Sequence, residues 1–173
     1  MTFMREHGNH NCADLTITDA TAGCGGNTLS LLKYFRRVIA VESNPEHFLI
    51  LQNNLRVYHY EVSIINPKLQ LINTDYTMVF KDIKSDVVLL DCPWNPTSGT
   101  WYSKHKHLML YLSDVPLYTI VQFLLRNGCL CCTLKLPFNF DFSNFIRHMD
   151  SNVIYQISRC HSYYLLLCCF SRL

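Results

Sequence analysis

The stretch DATAGCGGNT, which runs from Asp19 to Thr28, decides the fold of this chain. It lies between an apolar segment, Leu15 to Ile17, and an amphipathic segment that begins near Leu29. This order predicts a strand, a glycine turn and a helix. Glycine has no Cβ, so it allows a positive φ and a close approach of the backbone to a ligand. Taken alone, the run fits a tight turn as well as a binding loop, since it is neither a GxGxxG fingerprint nor a P-loop.

Two further features follow the glycine turn at ordered spacings. The segment Val38 to Glu42 is an apolar strand that ends in a carboxylate. An acid at this position can accept hydrogen bonds from both hydroxyls of a ribose. The segment Val87 to Trp94 is another apolar strand, and it ends in an acid, a proline and a large aromatic side chain. Together the three features predict a nucleoside cofactor and a planar substrate.

Hydrophobic periodicity places the remaining elements. We predict strands at Leu15–Thr18, Val38–Val41, Leu69–Asn73, Asp86–Leu90, Cys129–Leu136, Val153–Ser158 and Tyr163–Phe170, and helices at Asn27–Tyr34, from Pro45 through Leu55, at Leu117–Leu125 and at Phe142–Met149. Continuous apolar strands that alternate with helices form a mostly parallel sheet covered on both faces, so the fold class is α/β. The final two strands have no helix between them, which predicts an antiparallel last strand at the sheet edge.

Acidic side chains fall at the ends of the first four predicted strands. They are Asp19, Glu42, Asp75 and Asp91. Ligands of parallel α/β sheets bind outside the carboxyl ends of the strands. The four acids are therefore expected to converge on one ligand site.

With these motifs in this order, the chain resembles a class I S-adenosylmethionine-dependent methyltransferase from about Leu15 to Phe170. The glycine run is similar to the cofactor loop of the trimethylguanosine synthase group, which methylates the exocyclic amine of guanine in an RNA cap. The catalytic loop of that group reads Ser-Pro-Pro-Trp-Gly-Gly, and here it reads Asp-Cys-Pro-Trp-Asn-Pro from Asp91 to Pro96. The resemblance implies a single domain over residues 1–173, with a short lead-in at 1–13 and a seven-stranded Rossmann-like methyltransferase sheet.

The resemblance also implies the site residues. S-adenosyl-L-methionine is the implied cofactor, with Asp19 near its methionine amino group and Asp75 at its adenine. The implied cofactor-binding residues are Asp19, Ala20, Gly23, Gly25, Gly26, Asn27, Thr28, Glu42, Ser43, Asp75, Tyr76 and Asp91. The implied catalytic residues are Asp91, Cys92, Pro93 and Trp94.

The catalytic loop has the groups that methylation of an exocyclic amine requires. Such an amine is conjugated with its ring and is a poor nucleophile. A carboxylate oxygen of Asp91 or the carbonyl of Cys92 can accept a hydrogen bond from the amine and localise its lone pair. Pro93 fixes the backbone that aims this carbonyl. Trp94 can stack on the base, and a positively charged methylguanine would add a cation–π interaction of about 1–2 kcal/mol.

Two other functions stay open at this point, and one more is disfavoured by the sequence. Adenine-N6 methyltransferases have Asp-Pro-Pro-Trp loops, which Asp91 matches better than it matches the serine of the cap group, although Gly26 to Thr28 favours guanine. Ribose 2′-hydroxyl methyltransferases pair an acid and a lysine at the positions of Asp91 and Lys135. They also need an early lysine and a late glutamate, which this sequence lacks, so Lys135 is expected to contact substrate or an acid. The third alternative is an inactive fold that serves as a binding subunit, because Cys92 stands where proline is usual.

Capped RNA is the expected partner. The basic cluster from Lys104 to His107 follows the catalytic loop and can hold substrate phosphates, or it can be an ordinary solvated loop. Trimethylguanosine synthases have a helical extension before the fold, whereas fewer than about 15 residues precede the first strand here. We therefore expect the loop from Asn95 to His107, a protein partner or a second copy to complete the substrate pocket. Trp101 and Tyr102 in this loop can form a second stacking face or anchor the loop.

Composition sets the remaining expectations. The 173 residues are 49% hydrophobic with a net charge of +2, which fits one domain with a sizeable core and does not by itself indicate nucleic acid. The sequence contains no run of about 18 apolar residues, so we predict no membrane span. The chain has nine cysteines, and its N-terminus lacks an apolar signal core. We therefore expect an intracellular, reducing compartment, which is the nucleus or the cytoplasm, and a virus-encoded protein in a host cell would fit the same expectation. The cysteines at 129–132 and 168–169 lie in apolar, strand-like runs, so we expect buried free thiols and no metal site.

Overall fold

The computed structural model of the protein describes residues 11–60, 62, 66–94 and 107–171. The strands are β1 (Thr16–Asp19), β2 (Arg37–Glu42), β3 (Leu69–Asn73), β4 (Val87–Leu90), β5 (Tyr111–Leu112), β6 (Val115–Pro116), β7 (Cys131–Leu136), β8 (Val153–Arg159) and β9 (Tyr164–Phe170). The helices are α1 (Gly26–Leu31), α2 (Pro45–Val57), α3 (Tyr76–Val79), α4 (Leu117–Arg126) and α5 (Phe142–Arg147), and a short 3-10 turn, Cys12–Asp14, precedes β1.

The main sheet has seven strands in the order β3-β2-β1-β4-β7-β9-β8. The pairs from β3 to β7 are parallel, whereas β9 is antiparallel to both β7 and β8. The predicted α/β class, the mostly parallel sheet and the antiparallel last strand are confirmed. The predicted edge position of that strand is wrong, because β9 lies between β7 and β8. A tight turn, in which Cys160 N donates to Tyr163 O at 2.8 Å, makes β8 and β9 neighbours and leaves β8 at the edge.

Apolar side chains cover both faces of the sheet. Along β2, Val38 and Ala40 belong to one core cluster, while Ile39 and Val41 belong to another. Successive residues of a strand point to opposite faces, so the two clusters lie on opposite sides of the sheet. The first cluster includes residues of α2, and the second, larger cluster includes residues of α4 and α5. The sheet is therefore the middle layer of three, and its carboxyl edge is left for a ligand.

Several element boundaries differ from the predicted ones. The helix α1 ends at Leu31 rather than at Tyr34. The strand β7 begins at Cys131 rather than at Cys129, because Cys129 N donates to Leu124 O at 3.0 Å and closes the end of α4. The hairpin of β5 and β6 was not predicted, and its turn holds Ser113 at a φ of 50°.

The cysteines at the predicted clusters are buried, as expected. Those of β7 and β9 and the adjoining Cys129 are free thiols inside the core. Within the described ranges, no group of three or more His, Cys, Asp or Glu side chains could hold a metal ion. Within the same ranges, none of the helices is long and apolar enough to cross a membrane.

A glycine in the decisive stretch makes a testable contribution to stability. Gly25 is the N-cap of α1 at a φ of 95°, and a Cβ on it would lie 2.6 Å from Leu51 Cδ1. Gly25→Ala combines a left-handed backbone with a steric clash, so we expect it to lower the free energy of unfolding by roughly 2–4 kcal/mol. Gly128→Ala is the matched control, since Gly128 has the same φ of 95° and no heavy atom within 4 Å of its Cβ position.

The control should lose only about 1–2 kcal/mol, which is the cost of the backbone conformation. Urea unfolding of the wild type and both variants measures the two losses. Equal losses would show that Gly25 is needed for its conformation alone and that its packing against Leu51 has no share.

Candidate active site

A cavity of about 660 Å³ lies at the carboxyl edge of the sheet. It is lined by Ala20, Thr21, Gly23, Glu42, Ser43, His47, Asp75, Tyr76, Asp91, Pro93, Trp94 and residues 109–114. Nine of the fifteen predicted site residues therefore line one cavity. The predicted residues that do not line it are Asp19, Gly25, Gly26, Asn27, Thr28 and Cys92.

Glu42 ends β2 and is only 8% exposed. Its Oε2 accepts a hydrogen bond from Gly23 N at 2.7 Å, and its Oε1 accepts one from Asn44 N at 2.8 Å. A carboxylate has about four acceptor positions, so two remain for the hydroxyls of a ribose. His47 Nδ1 lies 3.9 Å from Glu42 Oε1 on the same wall, and the sequence did not single this residue out. The two backbone bonds hold the carboxylate in place at the cavity.

The glycine run divides between the cavity and the core. Gly23 has a φ of 52°, and no heavy atom lies within 4 Å of the position that a Cβ would take. Because Gly23 lines the cavity, a ligand can approach its backbone closely. Gly25 packs on Leu51 instead, and Gly26 is the first residue of α1. Of the three predicted cofactor-binding glycines, Gly23 is the one at the ligand cavity.

Asp19 lies at the end of β1 and is completely buried. Its Oδ2 accepts a hydrogen bond from Thr28 Oγ1 at 2.6 Å, whereas its Oδ1 has no partner among the described residues. Burial raises the pKa of Asp19 to about 6; the bond from Thr28 opposes this shift and the charge of Asp91 adds to it. The sequence predicts Asp19 beside the methionine amino group, but here the carboxyl group is set back from the cavity lining.

Asp75 connects two walls of the cavity. Its Oδ1 accepts hydrogen bonds from Thr77 N at 2.8 Å and Thr77 Oγ1 at 2.7 Å, which caps α3. Its Oδ2 accepts a hydrogen bond from Ser113 Oγ in the turn of the β5–β6 hairpin. Burial alone would raise the pKa of Asp75, but the bonds from Ser113 and Thr77 outweigh it and lower the pKa. The contact of Asp75 with adenine stays a prediction.

Among the predicted site residues, Tyr76 and Cys92 pack in the core together with Ala20. Tyr76 is 2% exposed, and its ring centroid lies 6.2 Å from that of Phe80. Cys92 is also 2% exposed, and burial followed by the charge of Asp91 raises the pKa of its thiol to about 12. The thiol is therefore neutral near pH 7 and cannot act as a nucleophile. The predicted role of Cys92 concerns its backbone carbonyl.

Asp91 directly follows β4 and is held by three hydrogen bonds. Its Oδ2 accepts from Asn27 Nδ2 at 3.0 Å and from Lys135 Nζ at 2.9 Å. Its backbone N donates to Thr21 Oγ1 at 3.0 Å. Among the described residues, no donor bonds Oδ1. The predicted contact of Lys135 with an acid is confirmed, and that acid is Asp91.

Trp94 is half-buried and lines the same cavity as Glu42. Its ring packs on the larger core cluster, and its Nε1 donates to Lys135 O at 3.2 Å. Pro93 is exposed at the cavity. Lys135 thus contacts the catalytic loop twice, with its ammonium group at Asp91 and its carbonyl at Trp94.

The cavity is acidic. The carboxylates among its lining residues are those of Glu42, Asp75, Asp91 and Asp114, and His47 is the titratable base of the described lining. A concentration of negative charge favours a cationic ligand. S-adenosylmethionine carries a sulfonium, an ammonium and a carboxylate group, so it is a net cation and its charge fits this cavity.

One wall of the cavity was missed by the sequence interpretation. The β5–β6 hairpin and the residues before it supply this wall, from Met109 to Asp114. The polar pair Ser113 and Asp114 between two short apolar segments is a hairpin signal that could have revealed it. The predicted aromatic pair Trp101 and Tyr102, like the rest of residues 95–106, lies outside the described residues.

The chain has a mostly parallel sheet of this strand order, an acid at the end of β2 and a cavity at the carboxyl edge. These features are typical of the class I S-adenosylmethionine-dependent methyltransferases. The chain belongs to the RNA cap guanine-N2 methyltransferase family, whose sequence model matches residues 15–169. The predicted family is confirmed, and S-adenosylmethionine is the cofactor of the class.

Individual relatives are more distant. Protein L320 of Acanthamoeba polyphaga mimivirus is 35% identical over 143 residues, which are 81% of this chain and 53% of that protein. The trimethylguanosine synthase of Schizosaccharomyces pombe is 31% identical over 87 residues, 47% of this chain and 34% of that enzyme. The chain therefore spans about half the length of the first of these relatives and about a third of the second.

Solved structures share the fold at low sequence identity. The T. thermophilus 16S rRNA N2 G1207 methyltransferase RsmC, in complex with AdoMet and guanosine, has a TM-score of 0.65 and 15% identity. The match covers 98% of this chain and 41% of that one. At this low identity, the likeness shows that the two chains share a fold.

Glu42 provides the first test of the site. Glu42→Gln should weaken S-adenosylmethionine binding by about 2–3 kcal/mol, because an amide loses the charge-assisted bonds of the carboxylate. Titration calorimetry measures the affinity. Glu46→Gln is the matched control, since Glu46 is exposed in the first turn of α2, and its affinity should equal that of the wild type. Unchanged affinity in Glu42→Gln would remove Glu42 from the cofactor site.

Asp19 makes stability depend on pH. The folded protein holds this proton up to about pH 6, whereas an ordinary aspartate releases it near 3.8. The folded state therefore loses stability as the pH rises through this interval, by up to about 3 kcal/mol. Asp19→Asn keeps an acceptor for Thr28 without the charge, so its free energy of unfolding should not show this loss.

Denaturant unfolding without ligand, at pH 4 and at pH 7, measures the difference. The gap between Asp19→Asn and wild type should widen in favour of the variant towards pH 7. Asp82→Asn, at an exposed site, should follow the wild type. A constant gap between Asp19→Asn and wild type would contradict the raised pKa.

Proposed function

We propose that the protein methylates the exocyclic N2 amine of guanine in RNA, and that its substrate is the 7-methylguanosine cap. The observation that carries this proposal is that Glu42 and Trp94 line the same cavity. A nucleoside cofactor held at the first residue and a base stacked on the second would meet inside one acidic space. The family match over residues 15–169 supports guanine rather than adenine as the base.

The cavity lining offers groups for the ribose, the methionine portion and the adenine of the cofactor. Glu42 would hold the ribose hydroxyls, and the open backbone at Gly23 would accommodate the methionine portion. Ser43 and Asp75 would lie at the adenine. When bound, S-adenosylmethionine supplies a methyl group on a positively charged sulfur atom. The negative charge of the cavity would stabilise this cation.

Asp91 is the proposed activating group. Its Oδ1 is the oxygen without a donor among the described residues, so it can accept a hydrogen bond from the exocyclic N–H. This bond withdraws the nitrogen lone pair from the ring and makes the amine a better nucleophile. Methylation releases one amine proton, and the same oxygen can accept it. Asn27 and Lys135 hold Oδ2 at 3.0 and 2.9 Å, which fixes the orientation of the carboxylate.

Trp94 is the proposed base platform. Its indole is positioned by the 3.2 Å bond from Nε1 to the carbonyl of Lys135. Stacking on an aromatic side chain accepts any base, but a 7-methylguanine ring carries positive charge and gains a cation–π interaction in addition. The acids of the cavity also favour this cationic base over neutral guanine. Both effects select the capped end of an RNA.

The same proposal names the partner and the compartment. Capped RNA is the proposed partner, and a second protein chain is proposed to complete the substrate pocket. We propose that the protein acts inside cells, in a reducing compartment. The nine cysteines are free thiols, which supports this assignment.

The product identifies the base. Labelled S-adenosylmethionine is incubated with 7-methylguanosine-capped RNA, uncapped RNA and DNA, and nucleosides are analysed by mass spectrometry. We expect label on N2 of the cap 7-methylguanosine. Label on N6 of adenosine would replace this proposal by the adenine-directed one. Cofactor binding without any product would indicate an inactive binding subunit.

Trp94 tests cap recognition. Trp94→Leu should weaken binding of 7-methylguanosine triphosphate by roughly 1–3 kcal/mol, the scale of base–aromatic stacking. The preference for this ligand over guanosine triphosphate should shrink, because leucine has no π-face for a cation. Titration calorimetry with both nucleotides measures the two affinities and hence the preference. Tyr34→Leu, an exposed aromatic site at the other end of the sheet, serves as the control. A wild type that binds both nucleotides equally would count against the cap.

A further inference from the structure

We infer that a surface formed by Phe138, Tyr164 and Arg159, here called the aromatic platform, binds a nucleotide of the RNA beyond the methylated guanine. The inference rests on the proposed function and extends it from the cap to the RNA nucleotides that follow the cap. The ligand class is single-stranded RNA, recognised through stacking of a base and through the charge of a phosphate.

The aromatic platform stands at the carboxyl edge of the sheet. Phe138 follows β7 and is 46% exposed, whereas the neighbouring Phe140 is 5% exposed. The ring centroids of Phe138 and Tyr164 are 5.1 Å apart in an edge-to-face arrangement. The register of β8 and β9 sets Arg159 opposite Tyr164, and the Arg159 guanidinium lies 5.3 Å from the Phe138 ring centroid. A large aromatic ring is thus held by two partners and still half open to solvent.

This arrangement has the two components of a single-strand site. A base can stack on the open part of the Phe138 ring or on the plane of a guanidinium group. Arg159 forms no ion pair with an acid of the described residues, so its charge is available to a phosphate. Exposed aromatic surface costs free energy in water. A stacked base would remove that cost.

Contacts join the aromatic platform to the proposed guanine site. Trp94 donates to the carbonyl of Lys135, which stands three positions before Phe138 in the chain. The ammonium group of Lys135 lies 5.0 Å from the ring centroid of Tyr163, and Tyr163 adjoins Tyr164. A chain of contacts through Lys135 and the two tyrosines therefore runs from Trp94 to Phe138.

The charge of the cavity also favours an RNA path that leads from the cavity towards the aromatic platform. A cationic base suits an acidic cavity, but its phosphates are repelled there. The hairpin wall on one side contains Asp114 and adjoins Asp75. The opposite side leads to Arg159, whose charge is not paired with an acid of the described residues. An RNA chain that leaves the cavity thus meets positive charge on the side of the aromatic platform.

The test compares two methyl acceptors. We measure kcat/KM for 7-methylguanosine triphosphate and for a capped RNA of ten nucleotides, and use their ratio because it cancels differences in the folded fraction. The wild type should favour the capped RNA on the order of tenfold, the effect of one stacked base. Phe138→Ala and Arg159→Ala should each bring the ratio close to one. Phe138→Leu keeps apolar packing against Tyr164 and should lose the preference as well.

Two further measurements separate the contributions. The salt dependence of RNA binding should be less steep in Arg159→Ala by about 0.7 in log–log slope, the value for one phosphate contact of a single strand. In Phe138→Leu the slope should equal that of the wild type. Tyr34→Ala and Arg56→Ala are matched controls, because both side chains are exposed near the amino edge of the sheet. They should keep the wild-type ratio.

The outcomes distinguish this inference from the function on which it rests. The aromatic platform is overturned if the wild type methylates both acceptors equally. It is also overturned if Phe138→Ala, Phe138→Leu or Arg159→Ala keeps the wild-type preference for capped RNA. The proposed function stands in both cases. Absence of methylation on both acceptors overturns the proposed function and the aromatic platform with it.

Discussion

The carboxylate of Glu42 is the constraint on which the rest of the site depends. It accepts the N–H of Gly23 from the turn after β1 and the N–H of Asn44 from the turn after β2. Loops behind two neighbouring parallel strands are thereby joined to one side chain. Hydrogen bonds to an ionised acceptor are stronger than neutral ones, so both turns keep their positions without a ligand. A ribose that arrives at Glu42 meets acceptors that are already oriented, which lowers the entropy cost of binding.

Lys135 has the corresponding role on the other side of the site. A carboxylate at the position of Asp91 adds a negative charge where the resembling cap enzymes have serine. The ammonium of Lys135 neutralises one of its oxygens at 2.9 Å, and the amide of Asn27 bonds the same oxygen at 3.0 Å. The carbonyl of Lys135 holds Trp94 at the same time. The pairing of β7 with β4 brings Lys135 beside the segment that follows β4.

The parts of the site that could be predicted are those set by strand periodicity. Glu42 and Asp91 each stand directly after a buried strand, and the parallel sheet brings such positions to one edge. Asp19 has the same sequence signature, but Thr28 on α1 binds it from behind and it is buried away from the cavity. The hairpin wall was missed because its strands have two residues each, too short for a period to be seen. The place of β9 was missed because pairing with β7 depends on the whole sheet and not on local sequence.

The acidity of the cavity has a consequence for turnover. Four carboxylates line a space that is proposed to hold two cations, a sulfonium and a 7-methylguanine ring. The acids offset the repulsion between these cations, which would otherwise oppose their approach. Transfer of the methyl group leaves the sulfur atom neutral. In the proposed reaction, the cavity would therefore attract fresh cofactor more strongly than the spent one, and this difference in charge would favour exchange of the cofactor between successive rounds of methylation.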